Sequence, residues 1–359
     1  MRINPGIYVL DLGSDRRQFG LGAGALLLAG LTAADLTFVG HLRGGIPDGT
    51  EQAAAAAAGI GAERQSQLLT ALAPVLLPCP GSQYPLPPLR QERLSPDIQR
   101  LSAVYGQDAS GAVARRAGAA VEIQGLGRCG ALLARTLAAA GIGTLLLGDP
   151  HVVAPSDVGP AYALTDIGMQ RFQAVRRHLY RIDPTVRVLS VPGPAAGRPA
   201  AGTDLAVLVS DQPGPLLSAG GGEREQPHLA VAVQQYGYQV GPLVVPGSTA
   251  CLGCLDRYRG DADPGWYASS AASAQPDPGG QQGPGGQQGP GGEEVSAAGL
   301  AAGIAAGQAL SFIDGVAQPV TWSAVLQLRT ADGHIGVEPL EFHPGCGCRL
   351  QSAGTSKAA

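Results

Sequence analysis

A chain of 359 residues that is 45% apolar is long enough for two sizeable cores, and its composition is that of a globular protein rather than a disordered one. The formal charge of −4 leaves no basic footprint for nucleic acid, and apolar runs are broken by Gly, Asp or Arg short of a membrane span. Met1 leads into INPGIYVLDLG, with Asp11 inside it, so no targeting signal is read there. A cytoplasmic protein, with neither nucleic acid nor membrane as partner, is expected.

Six cysteines in that compartment favour metal binding or catalysis over disulfides. Of the 24 basic residues only Lys357 is lysine. Such a skew looks like genome base composition, with arginine used wherever a positive charge is needed.

Residues 1–78 read as a small winged-helix-like α+β domain. IYVLDL and RRQFGLG pair around a Gly13-Ser14-Asp15 turn, ALLLAGL adds apolar content, and Thr32 caps a helix over TAADLTFVGHL. Two more helices are expected over Ala53–Ala58 and Glu63–Leu76. Up to residue 100, eight arginines meet eight acids, so this unit lacks the charge that dominates nucleic-acid affinity. Peptide or protein docking, a structural extension and DNA binding remain its three readings, in that order. Residues 79–98, with Pro80, Pro85, Pro87, Pro88 and Pro96, are expected to be a linker, in which Cys79 has no metal-spaced neighbour.

Residues 99–350 are expected to form an α/β domain, a Rossmann-like, mostly parallel sheet with helices on both faces. The stretch Ala119–Pro150 reads as strand, glycine loop, helix and strand, ending in Asp149. Gly125, Gly127 and Gly130 let the backbone turn and approach a phosphate at the following helix N-terminus. Asp149 stands where a carboxylate holds ribose hydroxyls. A helix capped by Thr165-Asp166 is expected over Ile167–Ile182, followed by strands over Val186–Leu189, Asp204–Ser210, His228–Val233 and Tyr238–Val245. Asp149 and Asp211 then both face the crevice at the strand C-termini. Further on, residues 271–293 carry a tandem GGQQGP over 279–290 and are expected to be a disordered loop. A helix over Val295–Val316 with small apolar residues, strands over Thr321–Arg329 and Gly336–Leu340, and a flexible tail over 351–359 complete the chain.

Cys251-Leu-Gly-Cys254 and Cys346-Gly-Cys348 fit a tetrahedral four-thiolate zinc site, each pair supplying one edge. His343, three residues before Cys346, is a competing candidate ligand, and redox chemistry or unrelated thiols are the other readings. A closed site of four sulfurs serves folding rather than catalysis.

In this order the parts resemble the ThiF and MoeB adenylyltransferases and the related ubiquitin-activating enzymes, over Ala119–Cys348. The resemblance implies activation of a peptide or small-protein C-terminal carboxylate with ATP and Mg²⁺, giving an acyl-adenylate. Gly125, Gly127 and Gly130 match the family's glycine loop, with Arg128 in the place of a glycine. Asp149 matches the ribose-binding acid. Ser156 and Asp157 fall on the SN-R stretch, Asp157 in the asparagine place and Pro160 where a phosphate-binding arginine stands. Arg171 takes the lysine place, Asp211 matches the magnesium-binding acid, and the four cysteines match the zinc ligands. The resemblance thus implies Arg171, Asp211 and Arg128 as catalytic residues, a nucleotide site of Gly125, Gly127, Gly130, Asp149, Arg171 and Asp211, and a homodimer.

No cysteine lies between Cys254 and Cys346, which argues against a thioester step. The N-terminal unit is also similar in architecture to a leader-peptide-binding domain in ThiF-like proteins of peptide natural-product pathways, some of which are inactive scaffolds. Three functions follow: the adenylyltransferase, a catalytically degenerate scaffold that docks a precursor or leader peptide for a partner enzyme, and a nicotinamide or flavin oxidoreductase. For the last, nothing supplies hydride-handling residues.

Overall fold

The computed structural model describes residues 1–79, 86–192, 202–211, 214–215, 225–268 and 292–348. The tandem GGQQGP repeat and the tail over 351–359 lie outside the described residues. The chain divides into two compact units, Met1–Ala114 and Arg115–Ala359.

In the first unit β1 (Arg2–Ile3) pairs antiparallel with β5 (Leu76–Leu77). The expected hairpin forms from β2 (Val9–Asp11) and β3 (Arg17–Phe19), and Leu26–Leu28 adds a third antiparallel strand, β4. Three helices follow, α1 (Ala33–Gly44), α2 (Glu51–Ala57) and α3 (Ala62–Leu72). The winged-helix-like arrangement thus closes over Phe19, Phe38, Leu42 and Leu72. Thr32 and Asp35 form a reciprocal capping box at α1, and Asp35 also takes Arg64 of α3 at 2.8 Å. The bond from Arg64 is the largest influence on the Asp35 carboxyl, which is held down at about 2.

The expected linker is different. Residues Pro88–Tyr105 form an 18-residue helix, α4, and Ser110–Gly118 form α5. Proline at the first helical position loses no bond and has its φ already set, so a proline-rich start is compatible with a helix. Asn4 Nδ2 donates to the Ser102 carbonyl at 2.8 Å and Arg2 meets Asp108 at 2.5 Å, which ties α4 and the turn after it to β1.

The second unit is built on an eight-stranded sheet in the order β13-β12-β11-β10-β9-β6-β7-β8. Its parallel part consists of β6 (Ala120–Gln124), β7 (Thr144–Gly148), β8 (Arg187–Ser190), β9 (Leu205–Ser210) and β10 (His228–Gln234). Antiparallel β11 (Gly237–Val244), β12 (Ala324–Arg329) and β13 (Ile335–Pro339) extend it. Helices α6 (Arg128–Ala139), α7 (Arg171–Ile182) and α9 (Val295–Asp314) share one core with Ile123, Leu147 and Val207. Helix α8 (Leu252–Ala262) packs with Ala230, Ala232 and Val325 in a separate cluster. From β6 the chain runs outward through β7 and β8, then returns to lay β9 on the other side of β6. The crevice at the C-terminal ends of β6 and β9 is where open α/β sheets bind ligands.

Two expected boundaries move. Residues Leu164–Asp166 are a 3-10 turn and α7 begins at Arg171, because Gly168 has φ +84° and breaks the helix. Val320–Ser323 is also 3-10, so β12 starts at Ala324. Helix α8, headed by Cys251, follows β11 where no element was expected.

Helix α9 is, by length and composition, able to cross a membrane, contrary to the reading that apolar runs stop short. Ala298, Ala301, Ala302, Ala305 and Ala309 are nevertheless buried in the core, so the small side chains serve close packing, as expected. At its end Asp314 takes Arg116 of α5 in two bonds of 2.6 and 2.7 Å, both side chains being at most 3% exposed. Removing one partner of a buried pair costs about 3–5 kcal/mol. Asp314→Ala should therefore shift a urea unfolding curve to lower concentration by about that free energy.

Candidate functional site

The loop after β6 is shaped by steric necessity at two glycines. Gly125 has φ +89°, and a Cβ there would overlap the Val209 carbonyl of β9; a Cβ on Gly130 would overlap the carbonyl of Gly125 itself. The loop therefore lies flat on the sheet end and folds back on its own helix. Asp149, just after β7, accepts the Leu126 N–H at 2.6 Å, and the Tyr162 hydroxyl donates to the Leu126 carbonyl at 2.6 Å.

At the head of α6 the N–H groups of Arg128 and Cys129 both donate to the Glu293 carboxylate, the second at 3.0 Å. The Tyr238 hydroxyl of β11 donates to it at 3.0 Å. A Cβ on Gly127 would overlap this carboxylate. The Arg128 side chain reaches outward instead, Nη1 to the Glu293 carbonyl at 2.6 Å and Nη2 to the Val158 carbonyl at 3.1 Å. Burial pushes the Glu293 carboxyl above the usual range, with Asp211 among the groups adding to the rise. The expectation of a loop through residue 293 is corrected at this point, because Glu293 is fixed by its bonds to α6 and β11.

A buried ion cluster lies beside the loop. Arg171, the first residue of α7, makes bonds of 2.9 and 3.1 Å to Asp157 and one of 3.3 Å to Asp149. Asp149 also meets His151 Nδ1 at 2.9 Å. Burial works against the Arg171 charge, but Asp149 and Asp157 outweigh it, and its pKa rises. Asp211 follows the end of β9, while Gln212 lies outside the described residues. Pro160 is exposed, and its carbonyl accepts from Arg135 of α6.

The fold therefore brings the glycine loop, Arg128, Asp149, Arg171 and Asp211 to neighbouring strand and helix ends around one crevice. Sequence reasoning missed Glu293, Tyr238 and Arg135. Glu293 belongs by composition to a low-complexity flank. The one signal for it was an acidic pair placed directly before an apolar helix, the usual place of an N-cap.

The four cysteines expected to bind metal do converge, their sulfurs lying within 4.8 Å of one another. Cys251 Sγ is 3.8 Å from Cys254 and 3.6 Å from Cys346, and Cys254 is 3.5 Å from Cys348. A tetrahedron with Zn–S bonds of about 2.3 Å has edges of about 3.8 Å, so the set fits zinc. Helix α8 sets the first pair, with Cys251 as N-cap and Cys254 in the first turn. His343 does not compete, since Nε2 meets Asp261 at 3.0 Å and Nδ1 accepts the Gly345 N–H at 3.0 Å.

A family model described as the ThiF family matches residues 107–348. No curated protein matches the sequence. Among solved structures, Escherichia coli MccB with ATP is similar over 97% of this chain and 98% of its own, at 17% identity and a TM-score of 0.67. The microcin C7 biosynthetic enzyme MccB in complex with N-formylated MccA has a TM-score of 0.68 at 17% identity, covering 97% of this chain and 99% of that one. PaaA has a TM-score of 0.65 at 17% identity, covering 93% and 98%.

The cysteine geometry sets a stoichiometry. Purified protein should carry about one zinc per chain by elemental analysis, and Cys251→Ser with Cys254→Ser should lower zinc content and melting temperature together. Cooperatively folded native protein free of metal would refute the assignment.

Proposed function

The chain belongs to the ThiF family, and on that footing we propose that it is a cytoplasmic adenylyltransferase that activates the carboxylate of a peptide or small protein with ATP and Mg²⁺, giving an acyl-adenylate and pyrophosphate. The observation that carries this reading is the convergence of the glycine loop, two arginines and two acids at the C-terminal ends of β6, β7 and β9. In this proposal Gly125, Gly127 and Gly130 admit the phosphates to the head of α6. Asp149 holds the ribose and Asp211 holds Mg²⁺. Arg171 and Arg128 neutralise charge as pyrophosphate leaves, the kind of stabilisation whose loss costs several kcal/mol of barrier. The zinc site serves stability.

A second reading, the peptide-docking scaffold, is favoured by two specific features. Arg171 is engaged with two carboxylates, and Pro160 stands in the place of a cation. Either way the first unit is proposed as the peptide-docking part. The comparison that supports this is MccB, whose structure includes N-formylated MccA.

A homodimer is also proposed. The outward side of α9 carries Gly299, Gly303 and Gly307, where an added Cβ would meet nothing, with Leu300 41% exposed beside them. An exposed glycine costs a helix about 1 kcal/mol relative to alanine, and a bare stripe of this kind suits close approach of a second helix. Gly303→Arg should then convert a dimer to a monomer in size-exclusion chromatography with light scattering.

Catalysis is tested by exchange of labelled pyrophosphate into ATP in the presence of cognate peptide, since only a reversible acyl-adenylate step returns label. Wild type should exchange, and Asp211→Ala should lose both Mg²⁺-dependent ATP binding and exchange while keeping its circular dichroism spectrum. ATP binding without exchange across a panel of peptides would favour the scaffold.

A further inference from the structure

The N–H groups in the first turn of a helix have no partner within the helix, and behind a glycine loop they commonly take a phosphate. In this chain they already have an anion. The N–H groups of Arg128 and Cys129 donate to Glu293, whose carboxylate lies against the side-chain-free face of Gly127.

Three contacts place it there. The Tyr238 hydroxyl donates to Oε1 at 3.0 Å, and Arg128 Nη1 grips the Glu293 backbone carbonyl at 2.6 Å. The next residue, Glu294, caps α9 by accepting the N–H groups of Ser296 and Ala297 at 2.9 and 2.8 Å. Two adjacent acids therefore cap two different helices, Glu294 its own and Glu293 the glycine-loop helix.

We propose that Glu293 is an internal occupant of the phosphate seat, so that nucleotide binding is an exchange in which a phosphate takes the N–H groups of residues 128 and 129 and the Glu293 carboxylate withdraws. The inference rests on the nucleotide reading of the loop and goes beyond it, because that reading requires a seat and says nothing of an occupant. A carboxylate and a phosphate cannot share two donors, since like charges at contact distance repel, and Asp211 already adds its negative charge to the same place. Among the described residues, Glu293 is bonded by Arg128 and Cys129 of α6 and Tyr238 of β11, and Tyr162 and Asp211 act on it electrostatically as well. Of these only Arg128 is a cation, and its guanidinium bonds the Glu293 and Val158 carbonyls. The resting protein is on this account self-inhibited toward nucleotide, and Glu293 sets the affinity without contacting the base or the sugar.

The test is calorimetric titration of ATP with Mg²⁺ into wild type, Glu293→Gln and Tyr238→Phe, with pyrophosphate as a second probe that lacks the nucleoside. Glutamine keeps the shape but replaces a charge-assisted bond by a neutral one, so Glu293→Gln should bind ATP and pyrophosphate about tenfold tighter or more. Tyr238→Phe removes one of the contacts that hold the carboxylate and should give a smaller gain, about two- to fivefold. Binding that appears only in Glu293→Gln would support the proposal most strongly. Equal affinities in wild type and Glu293→Gln would overturn the proposal and leave the nucleotide reading standing. Weaker binding by Glu293→Gln would overturn it too and make Glu293 a positioning residue for the nucleotide. No binding by any of the three proteins would overturn both. Should Glu293→Gln fail to fold by circular dichroism, Tyr238→Phe decides, and no gain there overturns the proposal.

Discussion

The N–H groups at the head of α6 have no partner within the helix, and much of the second unit's architecture serves to meet them. A helix N-terminus at a sheet end is a fixed site of partial positive charge, and here two carboxylates answer it. Asp149 takes the loop N–H of Leu126, and Glu293 takes those of Arg128 and Cys129. One carboxylate comes from the end of β7, the other from just before α9. The loop is thus pinned from both sides by acids that lie 144 residues apart in the chain, and its donors are oriented before any ligand arrives. Such preorganisation is the form in which a protein stabilises developing charge most effectively.

The same requirement explains why α9 is held at both ends. Glu294 caps its start, and the Arg116–Asp314 pair holds its last turn to α5. Between these points the buried alanines bring α9 close to α6 and the sheet without large side chains to set its register. The polar anchors at the two ends supply the definition that a row of alanines cannot, and in doing so they place Glu293. Arg171 plays a comparable part on the other side of the loop. By joining Asp157 to Asp149 it ties the segment after β7 to the start of α7.

The βαβ unit around Gly125, the two closely spaced cysteine pairs and the α1 cap were legible in the sequence because each depends on short-range spacing. A glycine with positive φ, a CxxC at a helix start or a Thr-x-x-Asp box is specified by residues a few positions apart. The linker expected over 79–98 was misread because proline content was taken as a breaker, whereas Pro88 stands at the first position of α4, where it breaks nothing, and α4 runs on through an interior Pro96, held by contacts with residues near Arg2. The helix expected from Ile167 starts later because the left-handed conformation of Gly168 interrupts it.

By itself the sequence pointed to a nucleotide-fold sheet, two cysteine pairs spaced for one cluster and a separate, charge-balanced first unit, since periodicity, glycine placement and cysteine spacing are local and additive. Only the tertiary structure decided what each charged residue faces. Arg171, expected to act on a nucleotide, lies between Asp149 and Asp157, and Glu293 falls in a tract without pattern yet closes the head of α6. The reason is physical: a charge interacts with whatever lies within a few ångströms, and in a doubly wound sheet those neighbours come from strand ends and helix starts that are far apart along the chain.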